Sequence, residues 1–258
     1  MYYPVLLKIG SVSLYTYGIF IVLAFLISGL FILWEAKKKK LDFSRLLNFS
    51  PYLIIGVMVG ARIYYVLQHL SYYKDHLLET FYFWQGGLSM YGGVIAAFLL
   101  LLIFLRKEGK KQRWQWLNAL GMGFLLGSAV GRIGCFLNGC CFGEESNLPW
   151  AVTNGFLNDG VLRHPTQLYE AIFYFLSFVV VFLISSKWGR KITVGTIFFL
   201  SIFLHSLVRF VVEFFRFSDS FIGPFKTAHV VTLLVIILAV IIFFVTIKTR
   251  TKLKGASK

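Results

Sequence analysis

Apolar runs of roughly twenty residues, separated by short charged or turn-forming stretches, organise this chain. Seven are visible: about Ser11 to Leu33, Leu46 to Leu70, Leu88 to Leu105, Trp114 to Asn138, Gln167 to Ile184, Thr193 to Phe215 and Ala228 to Ile247. A helix needs about 20 apolar residues to cross the bilayer core, so each run predicts a transmembrane helix. The fold class read from this pattern is an all-α integral membrane protein with about seven spans. No soluble domain fits between the runs, and residues 1–258 read as a single polytopic membrane domain. The first run is longer than a signal-peptide core and lacks a small-residue cleavage pattern before Lys37, so it reads as retained.

Between the runs, two stretches are more than simple turns. Residues 139–166 hold Pro149, Pro165 and most of the polar composition outside the basic loops, which predicts a small extracytoplasmic cap. Ser71 to Gly87 carries Tyr72, Tyr73, Phe81, Tyr82, Phe83 and Trp84, a composition suited to a helix lying at the membrane interface.

Composition agrees with this picture. The chain is 58% hydrophobic and 14% charged, with a mean hydropathy of +0.75, whereas soluble domains are about a quarter charged. The net charge of +15 would suit nucleic acid, but its placement does not. Eighteen of the 26 lysines and arginines follow runs one, three, five and seven: Lys37 to Lys40 with Arg45; Arg106, Lys107, Lys110, Lys111 and Arg113; Lys187, Arg190 and Lys191; and Lys248, Arg250, Lys252, Lys254 and Lys258. The positive-inside rule puts these stretches in the cytoplasm, leaving the N-terminus outside and the C-terminus inside. Membrane lipids, and not nucleic acid, are the partners this implies.

Three arginines fall inside apolar runs: Arg62, Arg132 and Arg209. Each costs about 2.5–3.5 kcal/mol at a helix centre, so each needs a partner or a polar cavity. Runs two, four and six point outward, which brings all three, with Tyr17 and Tyr91, into the outer half of the bilayer. His205, Arg209, Glu213 and Arg216 follow at spacings of four, four and three, along one helix face. Arg209 and Glu213 can pair within their helix, and His205 reads as a packing residue. One glutamate does not neutralise three guanidiniums, so an anion should complete the site. Arginine's planar fork matches phosphate oxygens, and the cavity opens toward phospholipid headgroups, making a phospholipid the inferred substrate.

Glycines and cysteines flank these charges. Gly92 and Gly93 beside Tyr91, and Gly131 and Gly134 around Arg132, either pack helices closely or let a ligand reach the backbone. Cys135, Cys140 and Cys141 lie at the outer end of run four. A disulfide from Cys135 to one neighbour is the favoured reading. Small-residue packing, a nucleophilic thiol, and a metal site with His164 as the nearest further ligand are the alternatives.

With these residues in place, the sequence resembles the prolipoprotein diacylglyceryl transferase family along nearly its whole length. The motifs are LYTYG (Leu14 to Gly18), GGLSMYGG (Gly86 to Gly93), GRIGCFLNG (Gly131 to Gly139), RHPTQLYE (Arg163 to Glu170) and RFVVEFFR (Arg209 to Arg216). The resemblance implies a seven-helix enzyme of the bacterial cytoplasmic membrane. It would move a diacylglyceryl group from phosphatidylglycerol to the lipobox cysteine in a prolipoprotein signal peptide, releasing glycerol phosphate, with no metal or organic cofactor. It assigns headgroup binding to Arg132, stabilisation of the departing phosphate to Arg209, orientation of Arg209 to Glu213, and the pocket lining to Tyr17 and Asn138. Arg62, Gly92, Gly93 and Arg216 are read as further substrate-binding positions.

Departures cluster at the same place. Tyr91 stands where well-known members have histidine, and an ordinary tyrosine, with a pKa near 10, is a poor base for a thiol. Cys135 and Cys140 replace asparagine and glutamate, and TAHVV (Thr227 to Val231) replaces a Met-Gly-Gln-like turn. Proton removal is therefore assigned to Tyr91 or to water in an arginine field. A related transferase with another acceptor, and a phospholipid-binding or transport protein without chemistry, are the other readings; the inverted repeat common in transporters is absent from the sequence.

Overall fold

The computed structural model describes residues 5–9, 12–83, 86–154, 157–189, 192, 195–217, 221–222 and 225–255. Ser11, Trp84, Arg190, Lys191, Thr193 and Lys258, named above, lie outside them. Helices dominate. Six are long and apolar enough to cross a membrane: α1 (Thr16–Lys38), α2 (Phe43–Gln68), α5 (Lys110–Leu137), α6 (Thr166–Trp188), α7 (Thr196–Glu213) and α8 (Thr227–Gly255), the last over Thr227–Val245. The third apolar run forms a shorter helix, α4 (Met90–Arg106). At 1.5 Å per residue its 17 residues reach about 26 Å, a few ångströms less than a typical hydrocarbon core.

This is a multi-pass membrane protein, and its surface agrees: Phe25, Ile54, Phe98 and Phe244 are among many large apolar side chains left exposed. In water such a surface would be an aggregation hazard; lipid is the solvent that accepts it.

The chain divides into two units, Met1–Glu35 with Trp114–Lys258, and Ala36–Arg113. In the first, α5, α6 and α7 enclose a core of Met122, Leu125, Ala129, Tyr174, Val181 and Ile197, with Phe31 of α1 packed against it. Small residues bring α1 onto α5. A Cβ added to Gly123 would stand 2.6 Å from Ile32, and one added to Gly134 would stand 2.5 Å from the Phe20 Cβ.

The first run is not helical from its start. Val5–Ile9 and Val12–Tyr15 form an antiparallel hairpin, β1–β2, and the helix begins only at Thr16. The alternation in Val-Ser-Leu-Tyr suits a strand with two different faces.

In the second unit, the Asp42 side chain caps α2 by accepting from the Arg45 amide at 3.3 Å. α2 packs on α4 where Gly60 meets Gly92 and Ala96. Of the stretch expected at the membrane interface, the described residues include two short pieces, α3 (Leu70–Tyr73) and a 3₁₀ turn over Leu77–Phe81, with Leu77, Leu78 and Phe81 exposed.

The cap expected over residues 139–166 is built from β3 (Val152–Thr153) and β4 (Leu162–Arg163), an antiparallel pair. A bridge from Gly143 to Arg216 fastens it at the end of α7, and one from Glu145 to Arg163 ties the cap together internally. Arg163 Nη1 donates to Asp159 Oδ1 at 2.9 Å, and this bond holds the Asp159 carboxyl below its ordinary range.

Candidate functional site

The site grows from the first two turns of α6. Pro165 precedes the helix, where a missing N–H costs nothing. Thr166 Oγ1 then donates to the Cys141 carbonyl at 3.0 Å, and Gln167 Nε2 to the Cys140 carbonyl at 2.7 Å. These bonds moor the segment leaving α5 to the start of α6. One turn on, Gln167, Glu170, Ala171 and Tyr174 recur at helical spacing and are all buried.

Glu170 is the hub. Its side chain is 0% exposed, with Arg132 Nε 3.0 Å from Oε2, Arg209 Nη1 donating to Oε1 at 3.0 Å, and Arg216 Nη1 3.8 Å from Oε2. Arg209 also pairs with Glu213, one turn along its own helix, at 2.7 Å. Three helices and the turn after α7 therefore meet in one ion cluster. Such a cluster is tolerable away from water only when nearly every charge is matched. Three guanidiniums face two carboxylates, an excess of one positive charge. Arg216 Nη1 is buried and has no hydrogen-bond acceptor among the described residues.

Around the cluster the geometry is fixed from outside. α7 ends at Glu213, so Arg216 lies in the following turn and not on the helix itself. That turn is pinned by Lys226, whose Nζ donates to the Arg216 carbonyl at 2.6 Å, the Glu213 carbonyl at 3.2 Å and Glu144 Oε1 at 2.7 Å. Next to the cluster, the His205 ring stacks on Tyr174 at 4.5 Å and 3°, with Phe124 tilted against it at 4.5 Å. His205 is the packing residue the sequence suggests.

Several expected positions need restating. Arg132, Arg209, Glu213 and Arg216 do come together. The cluster is less short of acid than its motif RFVVEFFR implies, because Glu170 of RHPTQLYE supplies a second carboxylate. Its signal was available: a carboxylate one turn inside an apolar helix carries the same insertion cost as an arginine.

Arg62 belongs to the second unit, and its charge is answered there by carbonyls, with no acid paired to it among the described residues. Its guanidinium donates to the carbonyls of Thr80 (2.9 Å), Gly86 (2.9 Å), Gly87 (2.9 Å) and Glu79 (2.5 Å) and lies over the rings of Tyr73 and Tyr65. It organises the loop that leads into α4. Tyr91, 65% exposed, begins that helix near Tyr64, and Gly92 and Gly93 are buried against α2. A side chain on Gly92 would collide with the Gly60 carbonyl and Tyr64. Close helix packing thus explains Gly92.

Tyr17 lies one residue into α1 and is partly exposed; Asn138 is half-buried, directly after α5, its amide bonded to the Gly134 carbonyl at 3.0 Å. Tyr17 is within electrostatic reach of Arg132 and of all three cysteines. The disulfide expected at Cys135 is not formed. Cys135, Cys140 and Cys141 are free, and the Cys140 thiol instead points to the Cys135 carbonyl at 3.7 Å.

Comparison with known proteins shows the family. The family model described as prolipoprotein diacylglyceryl transferase matches residues 4–245. A phosphatidylglycerol–prolipoprotein diacylglyceryl transferase of Listeria welshimeri is 32% identical over 245 residues, covering 92% of this chain and 87% of its own. The protein of the same name from Trichormus variabilis is 34% identical over 239 residues, covering 89% and 84%. One from Clostridium botulinum is 29% identical over 255 residues, covering 96% and 99%. With partly buried arginines of two separate motifs gathered on one glutamate, and with a family match spanning nearly the whole chain, this protein belongs to the prolipoprotein diacylglyceryl transferase family.

Proposed function

We propose that this chain transfers the diacylglyceryl group of phosphatidylglycerol to the lipobox cysteine of a prolipoprotein signal peptide. The thiol sulfur attacks the diacylglyceryl methylene carbon. A carbon–sulfur bond forms, the carbon–oxygen bond to phosphate breaks, and its electron pair leaves on glycerol phosphate. The thiol proton passes to a base or to water. During this step a singly charged phosphodiester becomes a phosphomonoester carrying more negative charge, so groups that bind the leaving oxygen more tightly than the diester accelerate it.

The observation that carries this reading is the excess guanidinium charge around Glu170, with a buried Arg216 donor that has no hydrogen-bond acceptor among the described residues. Arg209 takes the departing phosphate, Glu213 and Glu170 hold its fork in place, and Arg132 and Arg216 bind the headgroup. Tyr17 and Asn138 line the pocket. Tyr91 is assigned proton removal on the strength of its position in GGLSMYGG. The whole chain acts as one polytopic domain of a bacterial cytoplasmic membrane. It crosses seven times, with α4 as the short seventh span, N-terminus outside and C-terminus in the cytoplasm, so lipid enters from the outer leaflet.

Purified protein supplied with labelled phosphatidylglycerol and a lipobox peptide tests this. The expected product is a thioether on the peptide cysteine, together with glycerol phosphate. Lipid binding with no thioether would reject the transferase reading, and label on a different acceptor would reject the lipobox. Full activity in Tyr91→Phe would remove the tyrosine base alone.

A further inference from the structure

The transfer chemistry proposed above assigns the three cysteines no role, yet the fold brings them to one point. The Sγ atoms of Cys135, Cys140 and Cys141 all lie within 4.8 Å of one another. We propose that they form a binding site for a soft, thiophilic metal ion, with monovalent copper the best match.

The backbone makes the triangle. Cys135 occupies the last helical turns of α5. The chain then reverses through Gly139 and Cys141, both at positive φ, 70° and 65°. Glycine takes that conformation freely, but a cysteine does so only when its surroundings hold it there. They do. The Cys140 amide donates to the Cys135 carbonyl at 3.2 Å, the Asn154 side chain to the Gly139 carbonyl at 3.0 Å, and Gln167 and Thr166 hold the carbonyls of Cys140 and Cys141. The ligand loop is therefore built from its own backbone bonds and from α6, without needing the ion to fold it.

Geometry and charge select the ligand. A metal about 2.3 Å from each thiolate sulfur at the centre of a trigonal plane needs sulfurs about 4 Å apart, within the spacing observed. A disulfide would use two corners and strand the third. Structural zinc favours four ligands, whereas the grouping found among the described residues is three sulfurs alone. Thiolate-only coordination suits monovalent copper. Binding replaces three S–H bonds by three S–metal bonds and releases three protons, with no change of oxidation state. The resulting copper centre carries two negative charges, and the guanidiniums of Arg132 and Arg216 both act on Cys141. Cys135 is buried and its partners half-buried, so the ion would sit at the edge of the arginine cluster, shielded but reachable.

The test uses the full-length protein in detergent micelles, reduced with a phosphine and handled without oxygen. Monovalent copper is titrated against a chromogenic chelator, with cadmium as a spectroscopic probe through its thiolate charge-transfer band. The expected result is a single equivalent bound, three sulfur neighbours by X-ray absorption, and loss of binding to background in each of Cys135→Ser, Cys140→Ser and Cys141→Ser. Thermal unfolding of the metal-free variants separates loss of a ligand from loss of the fold. Retained binding in any folded single variant would overturn the proposal. So would nitrogen or oxygen ligands in place of sulfur, or a disulfide recovered from cells in place of three titratable thiols.

Discussion

Arg209 Nη1 donates a hydrogen bond to Glu170 Oε1 across 3.0 Å, tying α7 to α6 between residues 39 positions apart in sequence. The same guanidinium pairs with Glu213 at 2.7 Å, so both ends of its fork are fixed before any lipid arrives. A group held in this way has no reorganisation left to complete during reaction, which is the condition under which electrostatic stabilisation is most effective.

Glu170→Gln keeps the shape of the hub and removes its charge, leaving three guanidiniums against Glu213 alone. Breaking one member of a buried ion cluster costs about 3–5 kcal/mol. The variant should unfold well below the wild-type temperature in detergent and transfer no diacylglyceryl group. Wild-type stability would mean that Glu170 is not the residue balancing the arginines.

Arg62 serves a different purpose, because its partners are backbone carbonyls. Arg62→Lys retains the charge but cannot reach four oxygens at once, and unmet buried acceptors cost about 1–3 kcal/mol each. Faster hydrogen exchange at residues 79–83, 86 and 87 should follow, measurable by mass spectrometry. Exchange unchanged from wild type would contradict the loop-organising role.

The helix crossing at Gly92 gives a steric prediction. Gly92→Val would drive a side chain into Gly60 and Tyr64 and should destabilise by at least about 1–3 kcal/mol. Gly29→Ala, where nothing lies within 4 Å, should be tolerated without loss. Equal unfolding temperatures for the two variants would show that α2 and α4 do not meet as described.

In the cap, the Arg163 hydrogen bond lowers the Asp159 pKa, so the sign is that of a depressed acid. Its contribution is present above the unfolded aspartate pKa, about 3.9, and is lost as pH falls through the lower folded value. Amide protection at Val161, whose N–H donates to Asp159 Oδ1 at 3.1 Å, should decline in that acid window. Asp159→Asn should abolish the dependence, and a pH profile identical in both proteins would reject it.

The spans and the arginine cluster were legible in sequence for one physical reason: lipid penalises charge so heavily that every buried arginine demands an explanation. Arg132, Arg209, Glu213 and Arg216 follow from that argument and from helical spacing. Glu170 carries a local signal, a charge just inside an apolar helix, but its three partners lie on other elements, so the sequence around it does not show which charges it answers. Arg62 raised the same alarm for a different answer, since carbonyls from a loop leave no trace in composition. The cysteine triangle depends on two positive-φ residues whose turn cannot be read from spacing, and pairing into a disulfide was the natural but incorrect expectation.

The central claim is that the Glu170-anchored arginines act on the departing phosphate and not merely on lipid binding. Single-turnover thioether formation by Arg209→Ala, with phosphatidylglycerol binding measured in parallel on the same preparation, tests it most directly. The expected result is a transfer rate lower by about 10²–10³, the loss typical of one removed transition-state donor, with binding changed far less. A wild-type rate, or a fall in rate accounted for entirely by weaker lipid binding, would contradict the claim.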